Sequence, residues 1–186
     1  MDMTETFLKF VSQREEFQEA VDFIKANSEG NAWLVGGYVC RGIIQELYGV
    51  PIGDYDFDFV VEGAREICVP NGWEQRANSY GNPKLIGPHY EIDYVPLKSI
   101  HSIVRRGLEP TIDNFLTGAP LTIQSIAYDV GSQKVIGEAG ILAIKNKEVG
   151  INNLEQAQYR AQKKGVSLEE LVAGVAAQFN FRPVLE

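Results

Sequence analysis

The run Asp54-Tyr55-Asp56-Phe57-Asp58-Phe59-Val60-Val61 constrains this chain more than any other segment, because acids alternate with aromatic residues before two valines close it. A period of two belongs to a strand, whose successive side chains point to opposite faces. The aromatics are expected on a buried face and the three carboxylates on the other. Like charges this close raise one another's pKa unless a cation neutralises them, so the pattern calls for a metal ion or for open water. Hard oxygen donors favour Mg²⁺ or Mn²⁺. Register excludes an EF-hand calcium loop: counted from Asp54, Phe59 stands at the glycine position and Arg65 at the bidentate glutamate position. Taken alone, the segment is equally compatible with an acidic turn entering a strand.

Two flanking segments bear on that choice. Upstream, Ala32-Trp33-Leu34-Val35 reads as a buried strand, Gly36-Gly37 as a tight turn, and Tyr38 to Tyr48 as a helix stopped by Gly49-Val50-Pro51. At such a junction the missing Cβ atoms let backbone N–H groups approach phosphate at a helix N-terminus, although a simple turn has the same composition. Gly36, Gly37 and Gly42 do not make GxGxxG, and no GxxxxGK is present. Downstream, Tyr90-Glu91-Ile92-Asp93-Tyr94-Val95 is a second alternating strand. Asp93 is preferred to Glu91 as the acid that would complete a metal site begun on a neighbouring strand. A half-exposed strand with polar residues outward is the alternative.

The remaining pattern alternates helix and strand. A Ser12/Glu15 capping box predicts an opening helix through Phe17, Ala20, Val21 and Ile24. A short helix is expected near Ala64 to Cys68, a weak strand over Trp73 to Ala77, and a loop over Asn78 to Pro83. A helix at Thr111 to Leu116, a strand at Thr122 to Tyr128 and a strand at Lys134-Val135-Ile136 follow. The sum is an α+β chain, a mixed β-sheet with helices on one face. Residues 1–150 form the main domain, and residues 151–186 a C-terminal helical pair, its second helix opened by Ser167 and Glu170.

With 186 residues and 45% hydrophobic content, the chain can bury one sizeable core. A net charge of −8 argues against holding nucleic acid by the overall field. The absence of a signal-like N-terminus or an apolar span points to a cytoplasmic protein with no membrane partner. Cys40 and Cys68 form no CxxC or Cys/His spacing and are assigned no chemistry. His89 and His101 are read as structural, and Arg105, Arg106, Arg160, Lys163 and Lys164 as solvated surface charges.

Taken in order, Leu34-Val35-Gly36-Gly37-Tyr38-Val39, Asp56 to Gly63, Ile92-Asp93 and Leu121 to Asp129 resemble the polymerase β nucleotidyltransferase superfamily. The likeness is greatest to the head domain of tRNA CCA-adding enzymes and bacterial poly(A) polymerases, from about residue 32 to about 149. The resemblance implies that Gly36 and Gly37 face a nucleoside triphosphate and that Asp56, Asp58 and Asp93 bind two Mg²⁺ (or Mn²⁺) ions. Asp54 becomes an outer acid at the strand entrance. Lys84 and Arg41 are candidates to meet the triphosphate by charge. The family's VRD reads Val39-Cys40-Arg41 here, and its RDFTINAL reads Ala119-Pro120-Leu121-Thr122-Ile123-Gln124-Ser125-Ile126. A basic residue of each motif is missing, and one position along a helix turns a side chain by about 100°. The helical neck, body and tail that position tRNA do not follow, so tRNA is not expected as partner. The expectation is a small stand-alone nucleotidyltransferase that moves a nucleoside monophosphate from an NTP to a small molecule, protein or RNA end. The competing readings are a catalytically silent nucleotide- or partner-binding module and a metal-storage protein.

Overall fold

In the computed structural model, which describes residues 2–185, the Asp2 carboxylate accepts hydrogen bonds from the Thr4 and Glu5 amides and so caps helix α1 (Met3–Val11). This helix was not anticipated, and it displaces the Ser12/Glu15 capping box. Ser12 ends α1, its hydroxyl donating to the Lys9 carbonyl, and α2 (Glu15–Asn27) starts without a side-chain cap. Strand β1 (Ser28–Val35) then leads through Gly36 into α3 (Gly37–Tyr48).

Strand β2 (Phe57–Ala64) begins one residue after Asp56 and runs past Val61. The helix expected at Ala64 to Cys68 does not form. The Arg65 amide donates to the Asn27 carbonyl and the Cys68 amide to Asn27 Oδ1, so the end of α2 holds the segment extended. A hairpin of β3 (Glu74–Ala77) and β4 (Pro83–Ile86) follows, then β5 (Glu91–Pro96). Asn78 sets the hairpin turn, its Oδ1 accepting from the Tyr80 and Asn82 amides.

Short helices α4 (His101–Arg106) and α5 (Ile112–Thr117) precede a second departure. Instead of a strand throughout Thr122 to Tyr128, a 3-10 turn occupies Thr122–Gln124 and only Ala127–Asp129 forms β6. The Ser125 amide closes that turn on the Thr122 carbonyl while its hydroxyl donates to the Leu116 carbonyl, which takes the backbone out of strand geometry. The chain continues through β7 (Lys134–Ile136), α6 (Glu138–Asn146), α7 (Leu154–Lys164) and α8 (Leu168–Phe179). Ser167 and Glu170 form the expected capping box on α8.

The seven strands form one mixed sheet in the order β3-β4-β5-β2-β1-β6-β7, with β2 and β5 parallel and the other neighbours antiparallel. Its main helical layer lies on one face, where Leu34, Phe57, Phe59, Val61, Ile92 and Tyr94 join buried residues of α1, α2 and α3. Within β2 the acid–aromatic alternation works as expected, since Phe57 and Phe59 are fully buried and Asp58 pairs on the other face, but Asp54 and Asp56, expected on the same strand, precede it. Leu171, Val172, Ala176 and Phe179 of α8 belong to the same core. On the opposite face, Trp33, Val35, Val60 and Ala127 meet Ile103 of α4 and Leu116 of α5 in a smaller cluster. That cover leaves the β2–β5–β4 end of the face to polar residues. Among the described residues no helix is long and apolar enough to cross a membrane.

Candidate active site

Register assembles the site. Val35 pairs with Asp58, Asp58 with Asp93, and Asp93 with Lys84, one row across β1, β2, β5 and β4. Directly paired residues project to the same face of a sheet, so Asp58, Asp93 and Lys84 stand side by side. Asp56 lies in the entry segment before β2, exposed beside this row, and Asp54 lies further out.

Lys84 directly follows the loop expected over Asn78 to Pro83. It is on β4, and its Nζ lies 2.6 Å from Glu91 Oε2, 3.2 Å from Asp56 Oδ2 and 3.5 Å from Asp93 Oδ2. The bond to Glu91 is the largest of the influences that raise its pKa. Asp93 is held from its other side by Asn78, whose Nδ2 donates to Asp93 Oδ1 at 2.9 Å. Asp58 is the group under electrostatic stress. Burial first, then the charges of Asp93 and Asp56, push its pKa up to about 7 against the opposing effect of Lys84.

A carboxyl raised in this way is only partly compensated by the positive charge beside it. Its donors are hard oxygens, and by that chemistry Asp56, Asp58 and Asp93 fit Mg²⁺ or Mn²⁺. Among the described residues, however, no three Asp, Glu, His or Cys side chains are gathered closely enough to hold an ion between them. In this conformation Lys84, not a shared ion position, joins Asp56 to Asp93.

The glycine turn abuts the same row. Gly36 has φ 72° and ψ −139°, and a Cβ added there would lie 3.3 Å from Asp58 Oδ2. Gly37 starts α3, so the unpaired N–H groups and positive dipole end of a twelve-residue helix open beside Asp58. Arg41 donates through its Nη1 to the carbonyls of Ile52 and Asp54, at 3.2 and 3.3 Å. It therefore holds the segment that carries Asp56, and with Gly37, Tyr38 and Asp58 it lines a cavity of about 270 Å³.

A larger cleft of about 1020 Å³ extends from Gly36, Asp58, Asp93 and Lys84 to α7, where Tyr159, Arg160, Lys163 and Lys164 line it. His101 lies between two rings, stacked on Tyr159 with centroids 5.4 Å apart and 5.8 Å from Tyr80. Lys163 Nζ donates to the Tyr80 hydroxyl at 3.2 Å. His101, Arg160, Lys163 and Lys164 were read from sequence as structural or surface groups. The available signal was the pair Tyr159 and Lys163, four apart on one helix face. Arg105 is engaged with Glu155 at 2.7 Å, and Arg106 with the Ser102 and Asn114 carbonyls.

Neither a protein-family model nor a curated protein sequence matches this chain. Solved structures do. A CCA-adding enzyme in complex with CTP is similar with a TM-score of 0.64 at 15% identity, over 99% of this chain and 43% of that one. A tRNA-processing enzyme in an apo form gives a TM-score of 0.62 at 17% identity, over 91% of this chain and 44% of that one. The fold is nucleotidyltransferase-like. The Thermotoga maritima CCA-adding enzyme complexed with tRNA aligns with this chain at a TM-score of 0.61 and 16% identity, covering 99% of this chain and 42% of its own. The chain thus spans less than half the length of each of these three structures. The resemblance drawn from the glycine and acid motifs is matched at the level of fold.

Proposed function

We propose that the chain is a Mg²⁺-dependent nucleotidyltransferase that transfers a nucleoside monophosphate from an NTP to an acceptor hydroxyl. The observation that carries this reading is the direct pairing of Asp58 with Asp93 beside the Gly36 turn, at the mouth of the large cleft. Asp56, Asp58 and Asp93 would hold the metal, which when bound would polarise the reacting phosphate and stabilise charge on the leaving group. The α3 N-terminus and Lys84 would orient the triphosphate. The acceptor oxygen bonds to the α-phosphorus, the bond from that phosphorus to the bridging oxygen breaks, and pyrophosphate leaves with the electron pair as the hydroxyl proton passes to solvent. The Tyr159, Arg160, Lys163 and Lys164 wall suits a phosphate-bearing acceptor.

Similar CCA-adding enzymes have been solved with CTP and with ATP, which makes these the first nucleotides to test. Calorimetry should show Mg²⁺-dependent binding of at least one of them, lost in the Asp58→Asn/Asp93→Asn protein, and α-labelled NTP should label an acceptor. NTP binding that ignores both Mg²⁺ and the substitutions would remove the proposal. Ala119 and Pro120, where the family motif is charged, favour a second reading as a catalytically silent nucleotide-binding module. Turnover into any acceptor would eliminate that one.

A further inference from the structure

The three N–H donors of an ammonium are matched at Lys84 by three carboxylates, those of Glu91, Asp56 and Asp93. Among the described residues no other basic side chain forms an ion pair with any of these acids. Glu91 alone, at 2.6 Å, would suffice for an ordinary cross-strand ion pair. The additional approach to Asp56 and Asp93 puts the ammonium against oxygens that a divalent cation would need. Asp93 is the more constrained, because Asn78 occupies Oδ1 and Lys84 faces Oδ2. A cation shared by Asp56 Oδ2 and Asp93 Oδ2 would compete with Nζ for both oxygens. The flexible four-carbon stem of Lys84 lines the same cleft as Gly36 and Gly37, so an anion seated on the glycine turn offers the displaced ammonium a new partner.

We propose that Lys84 is a tethered counter-ion that competes with the divalent cation when no nucleotide is bound and moves to the triphosphate when one arrives. Metal and nucleotide binding are then coupled through one side chain, and the coupling is reciprocal. Without nucleotide, the single Lys84 charge is shared among three carboxylates and occupies the oxygens a metal would use, so the acids bind metal weakly. With nucleotide, the ammonium leaves and the acids become available. This inference rests on the nucleotidyltransferase reading above, but it concerns the order and strength of binding rather than the reaction.

The test measures Mn²⁺ affinity from the electron paramagnetic resonance signal of free Mn²⁺. Wild-type protein, Lys84→Met, Lys84→Gln and Lys84→Arg are compared with and without an α,β-methylene ATP analogue. Expected without nucleotide is Mn²⁺ binding tighter by about tenfold or more in the Met and Gln variants, with Arg restoring the weak wild-type value. The gain in Mn²⁺ affinity on adding nucleotide should shrink in Met and Gln relative to wild type. Thermal melts provide a second readout, since Mn²⁺ alone should raise the Tm of the Met and Gln variants more than that of wild type. If one neutral variant fails to fold, the other carries the comparison. Equal or weaker Mn²⁺ affinity in folded neutral variants, with all proteins still binding Mn²⁺ and nucleotide together, overturns the role of Lys84 alone. Failure of every protein, wild type included, to bind Mn²⁺ in the presence of the analogue overturns the nucleotidyltransferase reading itself.

Discussion

Asp58 and Asp93 are direct partners across the parallel β2–β5 pair, so two acids from distant parts of the chain share one face with matched register. Burial first, and then the charges of Asp93 and Asp56, raise the Asp58 pKa to about 7. A folded-state pKa above the unfolded one means that the folded protein keeps a proton which the unfolded chain has lost. Stability from this group is therefore fully present below the ordinary carboxylate range and is lost as pH rises towards 7.

Asp58→Asn removes that dependence while keeping the shape. The variant should melt higher than wild type at pH 8 in the absence of divalent cations, and the advantage should shrink as pH falls to 5. For a chain of this size each kcal/mol corresponds to about 2–4 °C, so the change with pH is within reach of calorimetric melts. A Tm difference that is the same at pH 5 and pH 8 would refute the charge account of the acid row.

The two glycines of the turn should behave differently. Gly36 sits at φ 72° with Asp58 Oδ2 only 3.3 Å from where a Cβ would be, whereas a Cβ on Gly37 would meet Arg41 Nε at 3.7 Å, an ordinary contact. Gly36→Ala is expected to cost about 1–3 kcal/mol in urea unfolding, from backbone strain. Gly37→Ala should stay within about 0.5 kcal/mol of wild type, because it is a helical position and alanine favours a helix. Equal losses in the two variants would show that the turn geometry is not the cause.

The local half of this site followed from strand periodicity, whereas Asp93 on a neighbouring strand was an expectation whose register no local rule could fix. Period-two alternation correctly sent Phe57 and Phe59 inward and Asp58 outward, because that rule depends only on neighbours along one strand. No local rule pairs Asp58 with Asp93 or brings Lys84 beside both, since register comes from the order in which distant strands assemble. The segment after Ala64 read as a helix until Asn27 supplied its hydrogen bonds from another element. Arg160 and Lys163 looked like solvated charges because the cleft they line is closed by parts of the chain remote from α7.

The two thiols should be distinguishable chemically. Cys40 is buried on α3, and burial pushes its pKa up to about 12, against the smaller opposing influence of Arg41. Cys68 is exposed. A disulfide reagent that reports released thiolate should modify one thiol per native chain at pH 8, with Cys68→Ser abolishing the fast phase. The second thiol should react only after denaturant is added. Rapid modification of both in native protein would contradict the placement of Cys40.

A close approach between α1 and α3 tests the unanticipated α1. A Cβ on Gly42 of α3 would lie 2.4 Å from Phe10 Cδ1, and Phe10 is itself held in an aromatic cluster with Phe7 and Tyr38. The ring has little room to withdraw, because Phe7 packs in turn on Phe17 and Tyr128. Gly42→Ala would gain helix propensity in α3, yet overpacking of a filled core costs typically about 1–3 kcal/mol, so the net effect is expected to be destabilising. Phe10→Leu in the same chain frees the space that the new methyl group needs. The double variant Gly42→Ala/Phe10→Leu should then be more stable than the sum of the single changes predicts, by an interaction of at least about 0.5 kcal/mol in a double-mutant cycle. Strict additivity would mean that α1 does not pack on α3 at this glycine.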